Sequence, residues 1–483
     1  MHKRIRLALA ATAAAALTGG LLTAAASPAT ADPAAKNDFN GDGRSDVAVS
    51  AGDAYVAGHK GAGQIVVLYG GLTPDRHKTV SQNTSGVPGS AEASDGFGWV
   101  SAIGDFNHDG YSDLAVSASY EDVGSDVDGG TVAIMWGSAS GLSGGTTISD
   151  PAPSSHDKWG RTLAAGDFDG DGKDDLAIGS TSSTIYIYKA GISKSGTAGG
   201  RYTVKAPIQS GGSAGPLNLT AGDVNNDGRH DLIVNGYEAT GTSHWNTNYF
   251  IPGSATGLRV SSAVKLQGGI TSAIGDVNGD TYGDIVIGVS WDGTSGVPGT
   301  VKGGRVHVIY GSATGPSSTT ASITQDSGAV PDSSEAGDSF GYELSLGDVN
   351  SDGYQDLAVS ATGEDSPNGM KDAGAVTILY GSAGGLDTTN NVQFFYQDTQ
   401  GFPGSAEGGD QLGSDVQLAN TDGYGGADMV IGAMGENGNG NIVSMENSLA
   451  STTFSAYRAS VIDPSEVGVS TTGSPNFGAN FGN

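Results

Sequence analysis

Cysteine is absent from the 483 residues, which excludes a disulfide framework, a thiolate zinc site and a cysteine nucleophile. Bases are scarce too: 22 against 52 acids leave a formal charge of −30, which argues against a nucleic-acid partner. Beyond the N-terminal stretch, no segment approaches the ~20 apolar residues of a membrane span. Catalytic signatures are missing. There is no HExxH and no P-loop, and the eight histidines are scattered without metal-type spacing. Gly337-Asp-Ser-Phe-Gly341 matches G-x-S-x-G, yet it fills a slot that recurs elsewhere as SDGFG and GDQLG, so its serine is expected to be a strand residue.

What is present begins with a leader. Lys3, Arg4 and Arg6 precede an apolar run from Leu7 to about Ala26, and Ala29-Thr30-Ala31 offers a small-residue cleavage site. Residues 1–31 are therefore expected to be a secretory signal peptide, with 32–483 as the mature, secreted, extracellular chain. Cleavage would remove three bases and no acids, moving the charge from −30 to −33.

The mature chain is built on a repeat. The nine-residue string D-x-[DN]-x-D-G-x-x-D occurs from Asp38, Asp105, Asp167, Asp223 and Asp348, with Thr281 replacing the glycine in a sixth copy from Asp276. A seventh, from Asn420, keeps Asp428 at its end but has Tyr424 at the fifth position. Each copy runs into a short apolar segment such as VAVSA at 47 or LAVSA at 114, which reads as a strand. A glycine-rich loop and a second β-rich run such as QIVVLYG or TVAIMWG follow, and most copies are preceded by an apolar-Gly pair: Phe97-Gly98, Trp159-Gly160, Phe340-Gly341, Leu412-Gly413. With a less regular outer segment, each unit holds four strands. Units spaced by 53 to 72 residues predict an all-β fold, a seven-bladed β-propeller of four-stranded antiparallel blades with calcium-binding loops. Asp38 lacks an upstream aromatic-Gly strand whereas Phe477-Gly478 has no acidic loop after it, so the C-terminal strand is expected to close the first blade.

The order FG, GD-x-N-x-D-G-x-x-D-LAV, then an aromatic strand resembles the FG-GAP repeat of integrin α-subunit N-terminal propellers and their bacterial secreted relatives, over about residues 38 to 483. The resemblance implies a binding or adhesion module. The chain is expected to depart from an integrin in having no leg domains and no membrane helix.

Calcium takes roughly six to eight oxygen ligands, and a loop offering side chains at positions 1, 3, 5 and 9 with a carbonyl at 7 can wrap one ion. The candidate ligands are Asp38, Asn40, Asp42 and Asp46 with the Arg44 carbonyl; Asp105, Asn107, Asp109 and Asp113 with Tyr111; and Asp167, Asp169, Asp171 and Asp175 with Lys173. Three further sets are Asp223, Asn225, Asp227 and Asp231 with Arg229; Asp276, Asn278, Asp280 and Asp284 with Tyr282; and Asp348, Asn350, Asp352 and Asp356 with Tyr354. An EF-hand would place glutamate at position 12, where the second copy has Val116 inside a strand. The six loops hold nineteen carboxylates at ligand positions, and close packing without a cation would raise their pKa values. About five or six calcium ions are expected, and six would bring the mature charge to −21. Thr281 should weaken the fifth site, and the Asn420 loop is expected to hold no ion. His108 and His230 read as solvated bystanders.

Chain reversal at each hairpin puts the acidic loops on one face and the long strand-two-to-three loops on the other. That opposite rim carries Tyr120, Glu121, Tyr237, Trp245, Trp291, Glu364 and Glu436, suited to a sugar or a basic peptide. The partner is therefore expected to be an extracellular protein or glycan, met by a monomer with no membrane span. A carbohydrate-binding lectin, or a polysaccharide lyase or glycosidase on the same scaffold, are the competing readings. The alternative role for each rim residue is capping hairpins and packing between blades.

Overall fold

A computed structural model describes residues 37–240, 245–293, 297–447 and 452–482. The expected leader, residues 1–31, lies outside the described residues. Seven antiparallel sheets follow one another along the chain as a seven-bladed β-propeller, and six of them have four strands in sequence order. The second is typical: Ser101–Gly104, Asp113–Ala118, Thr131–Trp136 and Ser143–Thr147. Helical structure among the described residues is limited to 3-10 turns of three or four residues, and no helix among them is long and apolar enough to cross a membrane.

The apolar runs after the acidic loops are buried from end to end, as in Val47–Ala51 and Asp428–Ala433. The reason is that each sheet is sandwiched between two neighbours, and successive side chains point to opposite faces. Val47 and Val49 pack with Val430 and Ile442 of the seventh sheet, whereas Ala48 packs with Leu114 and Val116 of the second. An apolar cluster of this kind fills every seam, seven in all, including the one between the seventh and first sheets.

The first sheet has three strands of its own, Val47–Ala51, Gln64–Leu68 and His77–Val80. Along its inner edge lies the C-terminal end of the chain. The Ser50 amide donates to the Asn480 carbonyl (2.8 Å), and the Gly482 amide donates to the Ala48 carbonyl (2.8 Å). Phe477 and Phe481 bury their rings in the same seam. Asp415 completes the attachment by accepting the Phe481 amide at 2.6 Å.

The first strands of the sheets line a central cavity of about 360 Å³, together with Asn480 and Phe481. Register shifts in Phe340–Gly347 and Leu412–Ala419 interrupt pairing next to Glu343 and Asp415, and both carboxyl groups face this cavity. Burial pushes Glu343 well above the usual carboxylate range, with Asp415 adding to the effect, and burial raises Asp415 to about 7.

The apolar-Gly pairs have a steric cause. Their large members, Phe97, Trp159, Phe340, Leu412 and Phe477, are buried, and the glycine that follows passes against the neighbouring blade. At Gly341, φ is +89° and a Cβ would stand 2.6 Å from the Arg305 carbonyl oxygen. Gly337 has φ +105° with nothing within 4 Å, so it isolates the conformational cost from the collision. Gly341→Ala should therefore lower stability by about 3 kcal/mol or more in urea unfolding, against about 1 kcal/mol for Gly337→Ala. Equal losses would show that the seam does not require the missing side chain.

Candidate metal loops and the opposite rim

Each acidic loop is wound around its first aspartate. Asp38 Oδ1 accepts the amides of Asn40, Gly41 and Asp42 (3.2, 2.6 and 3.2 Å), and its Oδ2 accepts that of Gly43 (2.8 Å). Asp276 repeats this arrangement with Asn278, Gly279, Asp280 and Thr281. Position six has positive φ in all six loops, from +78° to +89° at the five glycines and +76° at Thr281.

The ninth residue plays a different part. Asp46, Asp113, Asp175, Asp231, Asp284 and Asp356 are all fully buried. Asp231 accepts the Val224 amide within its own loop (3.0 Å) and the Gly253 amide at the end of the third strand (2.8 Å). Asp46, Asp284 and Asp356 tie the loop to the same place in their own blades, through Gly70, Gly311 and Gly381. Burial is the main cause that pushes Asp46, Asp113, Asp175, Asp231 and Asp356 up to about 7 and Asp284 to about 6, and the carboxylates at positions one and five of each loop add to it, apart from the third, where those at positions three and five do so.

These donors fit a hard divalent cation. Asp38, Asp42 and Asp46 bring carboxylate oxygens within 4.8 Å of one another, as do Asp167, Asp169 and Asp171. Asn107 Oδ1, Asp113 Oδ2 and Asp175 Oδ2 are buried without a hydrogen-bond partner. Bases also reach some loops: Arg76 pairs with Asp42 at 2.7 Å, Lys189 with Asp169, and Arg229 with Asp227 at 3.4 Å. In the seventh loop the Thr421 hydroxyl donates to Asp428 at 2.7 Å, the Asn420 side chain bonds within the loop, and Tyr424 is exposed.

Neighbouring loops are joined around the ring. The amide of the eighth residue donates to the first residue's carbonyl of the preceding loop, as Ser112 to Asp38 (3.0 Å), Gln355 to Asp276 (2.9 Å), Ala427 to Asp348 (2.8 Å) and Ser45 to Asn420 (2.9 Å). His230 belongs to this chain of contacts, contrary to its reading as a bystander: its amide donates to Asp167 and its Nδ1 accepts the Asp167 amide. Ser339 stands just before the strand Phe340–Gly347 and its hydroxyl donates to the Gly337 carbonyl.

On the opposite face the rim residues divide. Glu121, Glu364 and Glu436 turn into the seams, where each accepts a side-chain amide from the glutamine 39 residues earlier: Gln82 (2.5 Å), Gln325 and Gln397 (2.6 Å). Burial raises Glu121 to about 7 and Glu364 to about 8. Trp291 packs on the cluster between the fourth and fifth sheets. Tyr237 pairs with Asn246 across its hairpin, and the Trp245 carbonyl accepts the Glu238 amide. Tyr120 is exposed and borders a cavity of about 700 Å³. That cavity also holds Trp99 and Arg161, each the residue directly after an apolar-Gly pair, and Lys60 from a loop of the first unit.

Comparison with known proteins places the repeats in a family. The FG-GAP repeat matches residues 34–68, 97–135, 159–198 and 340–379. Integrin alpha-PS2 of Drosophila melanogaster is 27% identical over 223 residues, 43% of this chain and 15% of that protein. Integrin alpha-PS5 of the same species is 36% identical over 166 residues, 32% and 15% of the two chains. Phosphatidylinositol-glycan-specific phospholipase D of Mus musculus is 30% identical over 232 residues, 47% of this chain and 26% of that protein. The matched part thus spans about a quarter or less of these relatives. The chain carries FG-GAP repeats and is homologous to integrin α N-terminal propeller domains.

Thr281 is the point at which loop geometry and residue type disagree. Thr281→Gly should raise the urea midpoint by an amount equivalent to about 0.5–1 kcal/mol, since left-handed strain is removed while the unfolded chain gains freedom. An unchanged midpoint would show that the positive φ carries no cost there.

Proposed function

We propose that the protein is a secreted, calcium-loaded propeller that acts as an extracellular ligand-binding or adhesion module. The observation that carries this reading is the buried ninth-position carboxylate, repeated six times and ringed by further oxygen donors. A carboxylate held at that depth is costly unless a cation or a proton neutralises it. Asp38, Asn40, Asp42 and Asp46 and their counterparts would hold calcium, with the position-seven carbonyls completing each set. The ions would sit on one face and stiffen the hairpins, leaving the longer loops of the other face to meet a protein or glycan. Homology to integrin α propellers supports a binding role. The export signal read from residues 1–31 agrees with an extracellular calcium supply.

The sign of the pH effect follows from the raised pKa values. Without calcium, the folded chain binds more protons than the unfolded one between about pH 4 and 7, so its stability falls as pH rises through about 7. Calcium replaces those protons. At pH 8 and a hundredfold excess over Kd, each ion adds about 2.7 kcal/mol, and five should raise the melting temperature by about 10–15 °C. At pH 5 the shift should shrink severalfold. Calorimetric melts with and without chelator check both; a shift that is absent at pH 8 would overturn the calcium assignment. The binding role is tested with the calcium-loaded chain on immobilised glycans and extracellular proteins, where saturable retention lost on chelation is expected. Turnover of a polysaccharide without retention would instead make it an enzyme.

A further inference from the structure

Bases are rare in this chain, yet Lys60 and Arg161 line the same cavity of about 700 Å³ on the face away from the acidic loops. A third base stands at its edge. Lys158 Nζ lies 4.2 Å from the ring centroid of Tyr120, which also lines the cavity. Among the described residues none of the three has a carboxylate within ion-pair distance. Arg161 uses Nη1 alone, donating to the carbonyls of Ser213 (2.7 Å) and Ala214 (2.6 Å), which fixes the guanidinium while Nη2 stays uncommitted. The lining carboxylate, Asp53, already accepts the Asn476 side-chain amide at 2.7 Å. The seam acid beside Tyr120, Glu121, is turned toward Gln82.

The aromatic floor is built with similar care. Trp99 lines the cavity and is half-buried, and a Cβ at Gly52 would sit 2.4, 2.5 and 2.6 Å from three adjoining atoms of its ring. Near-equal distances put that Cβ position over the face of the indole, so the ring fits there only because residue 52 is glycine. Gly96 approaches its edge, with a Cβ position 2.7 Å away. Ser94 and Ser119 add hydroxyl groups to the wall.

We propose that this pocket binds a short glycan bearing a carboxylate, with a pyranose ring on Trp99, the carboxylate between Arg161 and Lys60, and sugar hydroxyls on Asp53 and the serines. A sugar fits better than an acidic peptide because the lining pairs a flat ring with hydroxyl-exchanging groups, while an extended peptide would need an open strand edge. Arg161 offers the forked donors that a carboxylate accepts in pairs. Size selection follows from charge. A net charge of about −21 on the calcium-loaded mature chain repels a long polyanion as a whole, so a disaccharide with one or two carboxylates should bind better per residue than the polymer.

The inference rests on the ligand-binding reading above, and its test separates the two. Isothermal titration of the full calcium-loaded chain with digalacturonate should give saturable binding. The same disaccharide with its carboxyls reduced should bind at least tenfold more weakly, and so should a tetra-aspartate peptide. Arg161→Gln and the exposed Lys60→Gln should each weaken digalacturonate binding at least fivefold while melting as the parent does. If Arg161→Gln fails to fold, Lys60→Gln decides alone. Equal affinity for the reduced sugar, tighter binding of the peptide, or wild-type affinity in Lys60→Gln would overturn the proposal. No binding of digalacturonate by a chain that still retains another partner would remove the anionic-sugar assignment and leave the binding role standing; a chain that retains nothing loses both.

Discussion

One buried carboxylate per blade holds much of the rest in place. The ninth residue of each of the six loops accepts an amide at the end of the third strand and, in four of them, one from the start of its own turn, so in those four blades a single side chain fixes the turn, the hairpin and the strand register at once. Its depth makes the arrangement conditional. One or two amide hydrogen bonds offset part of the cost of burying a charge, and neighbouring acids take some of it back. Either a proton or a divalent cation has to supply the remainder, so the proposed calcium binding would link folding and pH through the same group.

Around this anchor the ring is assembled by sterics rather than by charge. Every inner hairpin is apolar on both faces because it has a blade on either side, and the glycine of each apolar-Gly pair lies where a Cβ would collide with the neighbouring blade, with its backbone at Gly98, Gly341 and Gly478 and with a side chain at Gly160 and Gly413. Contacts between successive acidic loops then carry the position of one loop to the next, through pairs such as Ser112 with Asp38 and Gln355 with Asp276. A chain without disulfides can in this way distribute its cross-links as buried carboxylate anchors and short backbone bonds.

The repeat, the strands and the acidic loops were legible because each depends on residues close together in sequence: an aspartate and the strand that follows it, or a phenylalanine and its glycine. The positive φ at Thr281 could be read from the five glycines that share its position. What crossed a seam was harder to see. Glu364 and Glu436 looked like rim residues by their loop positions, but they sit beside Gln325 and Gln397 of the linker before, a partnership visible only as an offset of 39 residues repeated with Gln82 and Glu121. The pocket left only part of a trace: Trp99 and Arg161 each directly follow an apolar-Gly pair and so recur one unit apart, whereas Lys60 lies in a first-unit loop outside that register.

The most direct measurement is isothermal titration of the metal-free chain with calcium at pH 7 in two buffers that differ in ionisation enthalpy. Displacement of protons from the buried ninth-position carboxyls predicts about five or six ions bound with net proton release, seen as a heat that depends on the buffer. Binding of fewer than two ions, or a heat identical in both buffers, would contradict the account.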